Sequence, residues 1–236
     1  MTILTQIRTR LQASITIPKE RHSMFFKTEP GSYGAHDKFI GVTVPALRTL
    51  AKQFHTLTLE ELTDLISSPI NEERLLALFI LTAQYKKADE LKKETLYQFY
   101  LSHLKQVNNW NLVDSSAHLI IGAHLIDKDR SLLITLACSQ SLWERRIAII
   151  ATWHFIRNND LTWTFDIAKL LLSDTHDLMH KAVGWMLREA GKKDEAQLVL
   201  FLDTHADRMP RTMLRYAIEK FPENVRRSYL LNKKIS

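Results

Sequence analysis

The strongest constraint on the fold of this chain is an internal repeat with a period of about 35 residues. An apolar segment that begins Glu73-Arg-Leu-Leu returns 71 residues later, after about two such periods, as Glu144-Arg-Arg-Ile. Lys181 follows Arg146 by one further period. A polar or charged start followed by an apolar helix is typical of stacked two-helix repeats, in which each pair buries its apolar face against its neighbours.

The composition favours helices over strands. The 236 residues include six glycines and six prolines, and 45% are hydrophobic, which is enough to bury a large core. Leu, Ala, Lys, Glu and Arg dominate the periodic stretches, and alternating β-branched residues are nearly absent. We predict an all-α fold, a HEAT-like or ARM-type solenoid of antiparallel helix pairs with a concave face. One domain is expected over residues 1–236, with N-terminal helices and an irregular connection in 1–45 and the repeats in 46–236.

Capping and turn signals predict the helix boundaries. Thr58-Leu-Glu-Glu61 is a capping box, and Pro69 ends one helix shortly before Asn71 begins the next. These signals predict helices near residues 2–15, 45–54, 58–67, 71–86, 90–105, 110–125, 128–138, 141–157, 160–172, 176–190, 194–204, 210–220 and 222–232.

Charge and cysteine content bear on partners and compartment. The net charge of +6 favours a polyanionic partner through phosphate neutralisation and counterion release. The single cysteine, Cys138, lies in an apolar run and is predicted to be a reduced core thiol. The N-terminus lacks the apolar stretch of a secretory signal, and no segment has the roughly 18 uninterrupted apolar residues of a membrane span. We therefore expect a soluble, cytoplasmic protein without a membrane partner, and monomeric by default.

Two predicted helices each carry a tryptophan with charged residues on the same face. Positions three or four apart share a helix face, so Trp110 and Asp114 point the same way. By the same rule Trp185 shares its face with Arg188 and Lys192. Together these faces would form an aromatic surface with a carboxylate and a cationic rim. The structural alternative is that the tryptophans belong to the core and that the charges form salt bridges between repeats.

Five segments carry a resemblance to a known family. They are Trp110-Asn-Leu-Val-Asp114, Leu142-Trp-Glu-Arg-Arg146, Lys181-Ala-Val-Gly-Trp185-Met-Leu-Arg188-Glu, Phe26-Lys-Thr-Glu-Pro-Gly-Ser-Tyr-Gly34 and Asp37-Lys-Phe-Ile-Gly-Val-Thr-Val-Pro45. In order and spacing they resemble the AlkD-type DNA alkylation repair glycosylases, which are HEAT-like repeat proteins. The resemblance implies a concave face that binds duplex DNA containing alkylated purines. It also implies hydrolysis of the N-glycosidic bond of N3- or N7-alkylated purines, such as 3-methyladenine and 7-methylguanine, without a metal or cofactor.

The resemblance further implies which residues are catalytic. In that family the residues matching Trp110, Trp185 and Asp114 form the catalytic cleft, and the arginine matching Arg146 lies close by. Cleavage builds positive charge on the sugar, while the cationic base leaves without a proton, so a carboxylate can stabilise the charge and orient a water. At about 4 Å and an effective dielectric of about 20, this energy is on the order of 4 kcal/mol, or roughly a thousandfold in rate. Arg146 would keep Asp114 ionised and contact a backbone phosphate.

Further basic residues are predicted to contact DNA phosphates. They are Arg188, Lys192, Lys193, Arg211, Arg215 and His154. Arg188 and Lys192 match phosphate-binding positions of the family, and the three residues after them extend the track. His154 stands where the family tends to have a basic residue, so this chain departs from the pattern there.

Other conspicuous side chains are given structural roles. Trp143, Trp153 and Trp163 lie among apolar helical neighbours and are predicted to be packing residues. His176 and His180 have the spacing of metal ligands on a helix, but no third ligand accompanies them. No metal site is predicted.

The irregular stretch 27–45 has two interpretations. It holds three of the six glycines and two of the six prolines. It is either a linker that turns the chain or, as the resemblance implies, a segment that closes one end of the DNA groove.

Two other functions stay open. The chain could recognise damaged or branched DNA through shape and phosphate contacts, without catalysis. Asp114 argues against this, because a carboxylate weakens binding in a phosphate groove unless it has another use. A protein-interaction scaffold is the second alternative, and it predicts little salt-dependent affinity for DNA.

Overall fold

The computed structural model describes residues 2–18 and 26–231, and this part of the chain is helical. It contains thirteen α-helices, and its pairing of extended residues is limited to two isolated bridges, Ile15 with Val42 and Lys38 with Ile70. The helices are Ile3–Ala13 (α1), Val44–Gln53 (α2), Leu59–Ile66 (α3), Asn71–Lys87 (α4), Glu90–Ser102 (α5), Trp110–Ala117 (α6), Ser131–Ala137 (α7), Leu142–Arg157 (α8), Thr162–Leu170 (α9), Asp177–Gly191 (α10), Glu195–His205 (α11), Arg211–Ala217 (α12) and Glu223–Leu231 (α13). The all-α prediction is confirmed, and each predicted helix corresponds to an observed one. The predicted end of the last helix, residue 232, lies outside the described residues.

Two predicted helices end in a different geometry. The helix predicted to reach residue 105 ends at Ser102 and is followed by a 3₁₀ turn, Leu104–Gln106. The helix predicted over 110–125 continues after α6 as a π-helical turn, His118–Gly122. Such turns are rare, and they occur frequently at functional sites.

Short polar side chains cap the starts of several helices. The predicted capping box is present: the Thr58 hydroxyl accepts from the Glu61 amide at 3.2 Å, and the Glu61 carboxylate accepts from the Thr58 amide at 2.8 Å. The side chains of Asp89, Ser141 and Asp194 each accept from the backbone amide three residues on, at the starts of α5, α8 and α11. These contacts satisfy backbone amides that have no partner within the helix.

The chain forms two compact units, residues 1–116 and 117–236. In the first unit, α4 is central: it packs against α2, α3 and α5, and twelve of its seventeen residues are buried. In the second unit, α8 packs against the π-helical turn, α7, α9 and α10, while α10 also contacts α11 and α12. The central helices are enclosed by their neighbours, which is the packing expected of stacked helix pairs. The expectation of one domain over the whole chain stays a prediction.

A buried arginine fixes the first turn of α4. Arg74 is 3% exposed, and its guanidinium donates to the carbonyl oxygen of Ser68 at 2.8 Å. It also donates to the carboxylate of Asp37, whose side chain is fully buried. The start of α4 is thereby tied both to the turn before it and to the segment that precedes α2.

The same arrangement recurs at the start of α8, 71 residues or about two repeat periods later. Arg145 donates to the carbonyl oxygen of Ser139 at 3.0 Å and to the carboxylate of Asp174 at 2.7 Å. In both helices the carbonyl belongs to a serine six residues before the arginine. We call Arg74 and Arg145, with these partners, the arginine anchors.

Two glycines allow close contact between helices of the second unit. A Cβ atom on Gly184 would clash with the carbonyl oxygen of Met213 and lie 2.5 Å from the Cβ of Tyr216. A Cβ atom on Gly122 would clash with the carbonyl oxygen of Ala151. The first contact joins α10 to α12 and the second joins the π-helical turn to α8, in each case against backbone.

Two expectations about apolar segments have different outcomes. Cys138 is exposed, so the prediction of a core thiol is wrong. It follows the last residue of α7, where the chain leaves the helix, and the buried residues of that helix are Leu133, Leu136 and Ala137. Within residues 2–18 and 26–231, no helix has both the length and the apolar character needed to cross a bilayer.

Gly184→Ala is expected to destabilise the fold. The added methyl group meets backbone of α12, so the two helices must separate, and overpacking of this kind costs about 1–3 kcal/mol. The free energy of unfolding in urea measures this. Gly191→Ala is the matched control, because the nearest atom there is the movable Cδ2 of Leu198 and alanine favours the helix. Equal stability of the two variants would contradict the close contact of α10 with α12.

Candidate functional site

The ten candidate residues fall into two groups. Trp110 and Asp114 belong to the first unit, on α6. The other eight belong to the second unit: Arg146, His154, Trp185, Arg188, Lys192, Lys193, Arg211 and Arg215.

In the first unit, α6 presents Trp110 and Asp114 one turn apart. Both side chains are half-buried, and their spacing of four places them on one helix face. The preceding residue, Asn109, is fully buried, and its side-chain oxygen accepts from the Trp110 amide at 2.7 Å. The start of α6 is therefore fixed by a buried side chain immediately before the tryptophan.

Trp110 is the end of an aromatic stack that the sequence did not predict. Its indole stacks on Phe26 with ring centroids 5.1 Å apart and an interplanar angle of 14°. Phe26 in turn stacks on Phe39 at 4.3 Å and 26°. Phe39 lies in the irregular stretch 27–45 and Phe26 immediately precedes it, and this part of the chain has no periodicity to show which side chains face the same neighbour.

The buried carboxylate of Asp37 links this irregular stretch to α4 and α6. Besides the contact with Arg74, it accepts from the amide nitrogens of Asn71 at 3.1 Å and Asn109 at 2.5 Å. A charge buried at 0% exposure is stable only with such partners. The stretch therefore packs into the first unit through a polar network, in addition to connecting α1 to α2.

Glu72 binds the same stretch three to four residues after Asp37. Its carboxylate accepts from the backbone amides of Ile40 at 3.0 Å and Gly41 at 2.8 Å. Gly41 has a φ of +98°, a conformation that non-glycine residues rarely adopt. The turn between Phe39 and α2 is thus held by charge-assisted bonds.

In the second unit, Arg146 connects α8 to the helix that carries Trp185. Arg146 is 5% exposed, and its guanidinium donates to the carbonyl oxygen of Leu178 at 2.5 Å. Leu178 lies in the first turn of α10. Arg146 is therefore a buried residue with at least one of its donors committed to backbone.

Trp185 packs against a second tryptophan. Trp153 meets it edge to face, with ring centroids 5.0 Å apart and an interplanar angle of 62°. On another side Trp153 contacts His118 at 4.6 Å, and the Arg157 guanidinium lies over its ring at 4.5 Å. Trp153 is half-buried, so it contributes to the same surface region as Trp185, a role that its apolar sequence neighbours did not suggest.

The two cations that follow Trp185 on α10 are paired with glutamates. Arg188 donates to the carboxylates of Glu219 and, at 3.4 Å, Glu189. Lys192 donates to Glu189 at 2.7 Å. A phosphate at these positions has to compete with carboxylates that already hold the charges.

The remaining candidates have different surroundings. Lys193 donates to the side-chain oxygen of Asn159 at 3.2 Å, and Arg211 donates to the carbonyl oxygen of Leu230 at 2.5 Å. Arg215 is exposed on α12. These cations do not form one continuous network.

His154 is a poor cation in this structure. Its burial, and then the charge of Arg157, lower the pKa of the imidazole below its usual value. It is therefore neutral at pH 7 and can offer a phosphate one N–H donor without a charge.

The described residues offer no metal centre. Across 2–18 and 26–231, no three or more His, Cys, Asp or Glu side chains cluster in a way that could hold a metal ion. His176 accepts from the Leu178 amide at 3.1 Å as the N-cap of α10, and His180 contacts the carbonyl oxygen of Asp174.

Comparison with known proteins identifies the family. A family model described as DNA alkylation repair enzyme matches residues 7–221. The chain belongs to this family. Among curated proteins no significant match was found.

A solved structure shares the fold of this chain. It is described as a predicted DNA alkylation repair enzyme from Enterococcus faecalis and matches with a TM-score of 0.66 at 14% sequence identity. The match covers 89% of this chain and 98% of the other. The HEAT-like fold inferred from the repeat is thus confirmed, and membership of the family associates the chain with repair of alkylated DNA.

Asp37→Ala is expected to destabilise the protein strongly. The variant leaves the Arg74 guanidinium buried without its carboxylate, and breaking a buried pair costs about 3–5 kcal/mol. Urea unfolding measures this cost. Glu29→Ala, in the same irregular stretch but exposed, is the control and should change stability by less than about 0.5 kcal/mol. A cost for Asp37→Ala as small as that of the control would contradict the anchoring role.

The pKa of the His154 imidazole is expected to lie below the usual value for histidine, which is about 6.5. Arg157→Gln removes one cause of the lowered pKa, so the pKa should rise, while burial keeps it below the usual value. Because the unfolded chain binds this proton more readily, stability falls as the pH drops below about 6.5. NMR titration of the histidine resonances measures the shift. His176, whose pKa is lowered mainly by burial and without a contribution from Arg157, should not respond to the substitution.

Proposed function

We propose that this protein is a DNA glycosylase that hydrolyses the N-glycosidic bond of N3- or N7-alkylated purines in duplex DNA. The observation that carries the proposal is the half-buried carboxylate of Asp114, one helical turn from the stacked indole of Trp110. A carboxylate and an aromatic face on one rigid helix are the groups that this reaction needs. The family and the net charge of +6 support a DNA substrate.

The reaction develops charge on the sugar. As the bond from C1′ to the base nitrogen breaks, its electron pair neutralises the cationic base, and the sugar becomes oxocarbenium-like. The oxygen of a water then bonds to C1′, and the proton of that water passes to Asp114 or to solvent. The Asp114 carboxylate stabilises the cationic sugar and orients the water, which requires no metal or cofactor.

The tryptophans complement the carboxylate. The negative face of an indole attracts cationic groups and packs on sugar C–H groups, without competing for the water. The stack with Phe26 restricts the ring of Trp110, and the contact with Trp153 restricts that of Trp185. In this proposal each indole is offered to a deoxyribose of the bound DNA, Trp110 in the first unit and Trp185 in the second, where Arg146 adds a positive charge.

Phosphate contacts would come from cations of the second unit. Arg188 and Lys192 can bind phosphate by exchanging glutamate partners for it. Lys193, Arg211 and Arg215 extend the proposed contact surface, and His154 contributes as a neutral donor. Affinity for DNA should then fall steeply as salt is added.

Asp114→Asn tests the reaction. With a duplex that carries one 7-methylguanine, wild type should release the base in a single turnover. The variant should be slower by roughly a thousandfold, because it loses about 4 kcal/mol of charge stabilisation. Asp64→Asn, the same substitution at an exposed position of α3, is the control and should release base at the wild-type rate.

The outcomes separate the three functions. Base release by wild type but not by Asp114→Asn, with equal DNA affinity, supports the glycosylase. Salt-sensitive DNA binding without release by either protein would indicate a DNA-binding repeat protein without catalysis. Little affinity for DNA at any salt concentration would indicate a protein-interaction scaffold.

A further inference from the structure

We propose that Arg157 is a phosphate-binding residue and that Trp153 is the aromatic platform that holds it ready. The inference rests on the proposed function, since it assigns a DNA contact beside a site residue, Trp185. It concerns the second unit alone. Neither Arg157 nor Trp153 has the sequence signature of a DNA contact.

The geometry begins with an exposed guanidinium on a supported ring. Arg157 is the last residue of α8, is exposed, and has its Cζ 4.5 Å from the ring centroid of Trp153. That ring is held in turn by Trp185 at 5.0 Å and by His118 at 4.6 Å. The platform is therefore braced on two further sides and cannot swing away freely.

The electrostatic surroundings of Arg157 differ from those of three other arginines in this unit. Arg130, Arg145 and Arg188 are each paired with an aspartate or glutamate. Arg157 has no carboxylate partner among the described residues, and the interaction observed for its guanidinium is the one with the Trp153 ring. Its charge is felt locally, because it contributes to the lowered pKa of His154. A phosphate can thus bind Arg157 without displacing a carboxylate.

Stacking suits a guanidinium to phosphate. Contact with an aromatic face uses the flat side of the group, while its N–H donors point outward in the plane. Those donors match two phosphate oxygens at once. Because the stacked side chain is already ordered, less conformational freedom is lost when the phosphate binds.

The platform also fixes where this phosphate lies. Trp153 meets Trp185, the proposed sugar-contacting ring, in an edge-to-face contact. The guanidinium of Arg157 lies over the ring of Trp153. A deoxyribose is covalently linked to a phosphate on each side. A sugar that contacts Trp185 therefore brings a neighbouring phosphate towards Arg157, so the proposed contact is with the phosphate next to that sugar.

The test is the salt dependence of binding by the full chain to a duplex with one 7-methylguanine, followed by fluorescence anisotropy. Arg157→Gln is expected to reduce the slope of log Kd against log salt by about 0.9, the value for one phosphate contact. Lys169→Gln removes one positive charge from an exposed position of α9 and should leave the slope unchanged. An unchanged slope in Arg157→Gln, or an equal reduction in Lys169→Gln, overturns the proposal.

Two further variants separate the platform from the charge. Arg157→Lys and Trp153→Leu both keep a cation at or near the position but lose the stacked geometry. Each should retain the slope and weaken binding by about two- to fivefold, the equivalent of one exposed cation–aromatic contact. Wild-type affinity in both variants would overturn the role of Trp153.

The same assays distinguish this inference from the proposed reaction. If wild type releases no base but Arg157→Gln lowers the salt slope, the glycosylase proposal is overturned and the phosphate contact is supported. If wild type releases base normally but Arg157→Gln leaves the slope unchanged, the phosphate contact is overturned and the glycosylase proposal stands. Absence of salt-dependent DNA binding by wild type overturns both.

Discussion

The arginine anchors are the interaction on which the rest of the structure depends. The guanidinia of buried Arg74 and half-buried Arg145 each bind a backbone carbonyl and a carboxylate, so each arginine fixes the turn that supplies the carbonyl and the element that supplies the carboxylate. In the first unit the same carboxylate, Asp37, also binds Asn109 just before Trp110. The contacts of Asp37 that hold the start of α4 therefore also fix the position of Trp110, a candidate site residue.

Much of the fold was predictable because its signals are local. The repeat period, the Thr58 capping box and the spacing of turns located thirteen helices, since each signal acts within a few residues of the chain. The failures also have local causes. The 3₁₀ end after α5 and the π-helical turn after α6 keep helical hydrogen bonding in another geometry, which side-chain periodicity does not distinguish. Cys138 has apolar neighbours, but its position one residue past a helix end sets its exposure.

The candidate site was predictable only in part, because its supporting contacts join distant positions. Nothing near Asp37 in sequence indicates that it meets Asn109, and nothing near Arg188 indicates that it meets Glu219. Trp153 shows a related limit: it packs on other aromatic rings as a packing residue should, but the sequence does not show that it is only half-buried and lies under the Arg157 guanidinium. Sequence spacing identifies side chains that share a helix face. It does not identify which neighbour occupies that face.

Gly184 has a mechanical consequence for the residue that follows it. Most helix pairs are separated by a layer of side chains, which can change rotamer and so allow small movements of one helix relative to the other. At Gly184 that layer is missing, and α10 rests on the main chain of α12. The backbone of Trp185 is therefore stiff: it can be displaced only if a whole neighbouring helix moves, and the indole retains freedom only about its own two side-chain torsions. A rigid mounting of this kind reduces the reorganisation needed when a substrate arrives.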